Sequence, residues 1–129
     1  MFKLYKDKNK FYKQRDKFIS LLVDSKLITT SNNGIIINGN ATISKNGNTI
    51  TINQISNKAT INWSSFNLAK GEIVNFNQPN QKSITINMVT GNEKSIIDGV
   101  LKATGQILIS NNKGVLFGKN AKINTHSCL

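Results

Sequence analysis

From Thr29 to Asn124 the apolar residues come in short runs cut by Asn, Gly and Thr. The runs are Gly34–Asn38, Ala41–Ser44, Thr49–Asn53, Ala59–Trp63, Ile73–Phe76, Ser83–Asn87, Ile96–Leu101, Gln106–Ile109 and Gly114–Phe117. In Thr49–Asn53 and Ser83–Asn87 the Ile residues alternate with Thr, Ser and Asn, the period of a strand with one buried side. Asn46-Gly47-Asn48 marks a tight turn between two such runs. Short strands at about ten-residue intervals fit a sandwich, a barrel or a solenoid. Runs of this length match the short faces of a solenoid coil. Asn at strand ends suits hydrogen-bonded ladders between stacked coils.

Residues 1–28 have another texture. They are Lys-rich, and Leu4, Phe11, Phe18 and Leu22 trace a rough helical stripe. The segment reads either as a basic amphipathic helix able to rest on a membrane surface or as a disordered, signal-like leader. Its most apolar run, Phe18–Val23, is shorter than the core of a signal peptide and is closed at once by Asp24. No stretch reaches the ~20 apolar residues of a spanning helix.

Charge changes the picture little. The net charge is +11, of which +5 falls on the first 26 residues (eight Lys or Arg, three acidic) and +6 on the rest (nine and three). Beyond the leader the lysines are single and sit in apparent turns, the pattern of a solvated surface rather than a nucleic-acid site. One cysteine, Cys128, makes neither an internal disulfide nor a zinc site. Glu72, Glu93 and Asp98 are isolated in sequence, which argues against a paired-carboxylate or calcium site. His126 has no Ser, Cys or Asp partner in view. No catalytic, metal or cofactor site is expected, and no small-molecule substrate. Trp63, Phe66, Phe76 and Phe117 are the expected large core residues.

Several segments resemble one family in order. Asn40–Ser44 is similar to its opening strand, and Asn57–Asn67, with Trp63 and Phe66 flanking two serines, to its most recognisable stretch. Phe76-Asn77-Gln78-Pro79-Asn80, Asn87–Gly91, Gly99–Gln106 and Gly114–Gly118 follow. The family is the two-partner secretion domain, also called the haemagglutination activity domain, of filamentous haemagglutinin-like and haemolysin-like exoproteins. The resemblance implies an all-β, right-handed parallel β-helix with N-terminal capping strands over residues 29–124. It implies a non-enzymatic export role, with a dedicated outer-membrane transporter whose periplasmic modules recognise the domain. The location it implies is the cell surface or the medium. Within that role Gln78, Pro79, Asn80, Asn111 and Gly114 are the secretion-motif candidates.

The chain departs from the family in places. The family's Asn-Pro-Asn-Gly turn reads Asn111-Asn112-Lys113-Gly114 here. Residues 125–129 look like an aberrant tail out of register with the family, as a truncated domain would have. An open last coil is then expected, with self-association through it. Two alternatives to a secretion domain follow: the product of a degraded or split gene, and an adhesion module for host glycans or matrix.

Overall fold

The computed structural model describes residues 2–3 and 34–128. The helical stripe and the apolar run of the leader lie outside the described residues. Every regular element described is a strand: β1 (Phe2–Lys3), β2 (Ile35–Asn38), β3 (Ala41–Asn46), β4 (Thr49–Gln54), β5 (Lys58–Trp63), β6 (Ile73–Asn77) and β7 (Ile84–Val89). Then come β8 (Ser95–Ile97), β9 (Val100–Ala103), β10 (Gln106–Asn111), β11 (Val115–Phe117), β12 (Lys122–Asn124) and β13 (Ser127–Cys128).

These strands wind a right-handed parallel β-helix with three faces. The first face stacks β4, β6, β9 and β12 in parallel. The second stacks β5, β7, β10 and β13. The third pairs β8 with β11 and carries Leu68 beside Ile97. Register fixes the coils: Thr49 lies beside Ile73, Ile73 beside Val100, and Val100 beside Lys122. Two antiparallel strands close the N-terminal end, β3 on β4 and β2 on β5.

Alternation within each strand sends one set of side chains into the prism, and stacking turns that set into rows. Ile50, Val74, Leu101 and Ile123 form one row, and Ile52, Phe76 and Ala103 the next. The second face contributes Ile61, Asn87 and Ile109. Leu68, Ile97 and Phe117 complete the interior from the third. Trp63, Phe66 and Phe76 are at most 1% exposed, and full burial of one large apolar side chain is worth about 1.5–3 kcal/mol. Trp63 and Phe66 meet edge to face with centroids 5.2 Å apart. The indole N–H donates to Asn87 Oδ1 at 2.9 Å, so the polar edge of the ring is satisfied inside.

One expectation is corrected. Ile96–Leu101, which reads as one strand, is two, because the chain turns a corner at Asp98-Gly99. The turn is held from the coil before, where the Asp98 N–H donates to Leu68 O at 2.7 Å and that of Val100 to Glu72 O at 2.9 Å. Near the C-terminus β13 extends the second face, with Ser127 beside Gln106 and Cys128 beside Ile107. The same outer edge of β10 also takes β1, antiparallel, with Phe2 opposite Ile109. Over Gln106–Ile109 that edge is therefore paired rather than open.

Candidate recognition surface

A solenoid turns its corners with backbone that cannot pair in a sheet, so buried corners need polar side chains to satisfy it. Three such devices recur here, and two contain the secretion-motif candidates.

At the corner from the first face to the second stands Gln78, 7% exposed. Its amide donates to Thr85 Oγ1 (3.0 Å) and Gln106 O (2.8 Å), and its carbonyl accepts the Gly105 N–H (2.6 Å). The Thr85 hydroxyl donates to Gln54 Oε1 in the coil before. Gln54 in turn donates to Ser56 O and Ile84 O. Gln78 thus ties three coils together from inside. Its neighbours Pro79 and Asn80 are exposed. Asn80 Oδ1 accepts the Lys82 N–H at 2.9 Å, and its amide donates to Asn57 Oδ1 at 3.2 Å. An outer rung of the same kind joins Asn77 to Asn53 at 3.0 Å.

At the corner from the second face to the third stands Asn111, 1% exposed. Its amide donates to Glu93 O (3.0 Å) and Ser95 Oγ (2.9 Å), and its Oδ1 accepts the Lys113 N–H (2.9 Å). The Gly114 N–H closes the turn on Asn111 O at 3.0 Å. Gly114 has φ of +111°, a conformation glycine takes without strain. Asn112 stands where the family has proline, and the turn forms without that fixed φ because the Asn111 side chain braces it through the Lys113 N–H.

The third corner is braced by Asp98, fully buried, whose two oxygens accept the Asn120 N–H (3.0 Å) and side-chain amide (3.1 Å). Sequence reasoning weighed Asp98 only as an acid. The Asp-Gly pair that follows Ile97 was the available turn signal.

The structure does not gather the five candidates into one site. Gln78–Asn80 and Asn111–Gly114 flank the second face at its two edges, separated by a six-residue strand, a span of about 17–20 Å. Between them β7 turns Ile84, Ile86 and Met88 outward, while its neighbours β5 and β10 show Lys58, Asn62, Gln106 and Ser110. His126 is exposed. Among the described residues no three of His, Cys, Asp and Glu come together as metal ligands. No described helix is long and apolar enough to cross a membrane.

A model of the TPS secretion domain family matches residues 29–129. Two proteins named heme/hemopexin-binding protein are similar to the chain. One, from Haemophilus influenzae (strain ATCC 51907 / DSM 11121 / KW20 / Rd), is 37% identical over 89 residues, which is 69% of this chain and 10% of that protein. The other, from Haemophilus influenzae, is 38% identical over 92 residues, 70% of this chain and 10% of that protein. The crystal structure of the HMW1 secretion domain from Haemophilus influenzae superposes with a TM-score of 0.70 at 37% identity, over 74% of this chain and 25% of that one. The chain thus spans about a tenth of the length of the curated relatives it matches.

Proposed function

Because the chain belongs to the TPS secretion domain family, we propose that it is the non-enzymatic export module of a filamentous haemagglutinin-like surface exoprotein. Periplasmic modules of an outer-membrane transporter recognise it, and it folds into its β-helix on reaching the cell surface. The family match over residues 29–129 is the observation that carries this reading.

Burial adds a constraint on timing. Gln78 and Asn111 are sealed in the folded corners, so a partner that reads their side chains reads the chain before it folds. Strand addition of the extended chain to a sheet edge of the transporter's modules suits such a step. Pro79 and Asn80 remain readable in either state.

The test appends a secretory signal peptide to the chain and expresses it with and without a two-partner transporter. Protein should appear outside the cell only with the transporter. Pro79→Ala with Asn80→Ala should cut that yield several-fold while the thermal melt of the purified domain stays within about 1 kcal/mol of the original. Equal export without the transporter, or retention with it, would refute the reading.

A further inference from the structure

Corner length varies along the edge between the third face and the first. Between Leu68 and Ile73 there are four residues, Ala69-Lys70-Gly71-Glu72; between Phe117 and Lys122 there are again four, Gly118-Lys119-Asn120-Ala121. The coil between them turns with two, Asp98-Gly99. Both long corners are closed by the same turn, the Glu72 N–H donating to Ala69 O at 3.0 Å and the Ala121 N–H to Gly118 O at 3.1 Å. Lys70 and Lys119 are therefore equivalent residues, each second in its turn and exposed at its tip. The short corner sits recessed between them. Gly99 keeps it so, because a Cβ there would lie 2.4 Å from Glu72 O and 2.7 Å from Ala69 O.

The recess is a groove of about 460 Å³ lined by Lys70, Lys119, Lys122, Gly99, Val100 and Ala121, with Gly71 and Asn120 at its rim. Two strand spacings put the two turn tips on the order of 10 Å apart. Among the described residues no acidic side chain lines the groove. Of the two acids beside it, Asp98 is buried and held by Asn120, whereas Glu72 is half-buried and its Oε1 accepts the Ala69 N–H at 2.8 Å. Three exposed lysines therefore border a floor of small residues. Among the described residues no aromatic ring lines the groove to stack bases, which sets it apart from a single-strand nucleic-acid track.

We propose that this groove binds a saccharide bearing closely spaced sulfate or phosphate groups, with Lys70 and Lys119 gripping from the two lips and Lys122 from the floor. The assignment is independent of the export reading and concerns the folded domain.

The test measures binding of the folded 129-residue chain to immobilised dextran sulfate and to vesicles carrying the phosphates of lipid A, with uncharged dextran as blank. The variant Lys70→Gln/Lys119→Gln/Lys122→Gln is compared with Lys58→Gln/Lys82→Gln/Lys113→Gln, which removes equal charge elsewhere. All six lysines are exposed, so both variants should melt like the parent. The groove variant should bind about tenfold more weakly and the control variant hardly less than the parent. A loss confined to dextran sulfate names a sulfated glycan as the source of the ligand; a loss confined to the vesicles names lipid phosphates. Equal losses in both variants, no loss in the groove variant, no binding by the parent at physiological salt, or equally tight binding to duplex DNA would overturn the proposal.

Discussion

At the residue scale, the polar side chains that decide most face inward. Gln78 serves three hydrogen bonds at once, so Gln78→Ala strands the Gly105 N–H and Gln106 O inside the solenoid. The expected loss is about 2–3 kcal/mol in a urea melt, against less than about 1 kcal/mol for Asn80→Ala on the surface. Similar losses for both would deny Gln78 its bracing role. Gly118 is a second such position. A Cβ there would fall 2.0 Å from Asp98 Oδ1, so Gly118→Ala must push the carboxylate off Asn120. A loss of about 2 kcal/mol or more is expected by thermal melting, and a neutral result would show that the corner yields. The resemblance singles out Gln78 and Asn111 as secretion-motif candidates. Their burial was not legible, since polar residues at strand ends read as solvent-facing until the coils are stacked.

At the scale of elements, alternation in Thr49–Asn53 and Ser83–Asn87 foretold β4 and β7 well, because one side of each strand meets the core and the other water. It failed at Ile96–Leu101, where apolar residues continue through a corner. Hydrophobicity reports burial there and not direction. The equivalence of the turns at Lys70 and Lys119 was invisible too, since coils of unequal length conceal the repeat until register aligns them. The capping strand β2 raises a separate matter. It lies at the edge of its sheet and exposes Ile35 (63%) and Ile37 (53%). Its register shifts between Ile36 and Asn38, a bulge that blunts an edge without hiding its side chains. Replacing both by Lys should lower concentration-dependent association in analytical ultracentrifugation, with the melt moved by less than about 1 kcal/mol. Unchanged association would place any self-contact elsewhere.

At the scale of the molecule, each coil touches only the coils above and below, as in other solenoids. Protection against hydrogen exchange should therefore peak in β4, β5, β6, β7, β9 and β10, which have neighbours on both sides, and fall toward β3 and β12 at the outer edges of the first face. Uniform protection would mean that the domain opens only as a whole. The long corners have a practical consequence of the same architecture. Gly71 sits at a turn tip with nothing within 4 Å of where a side chain would begin, while the register of β4 with β6 is set by the strands on either side. Extra residues spliced in beside Gly71 would loop into solvent and leave every rung in step. A small fluorogenic or protease-cleavable tag there would act as a clock hand on the chain, reporting when this coil winds shut and so whether it does so before or after the export proposed above.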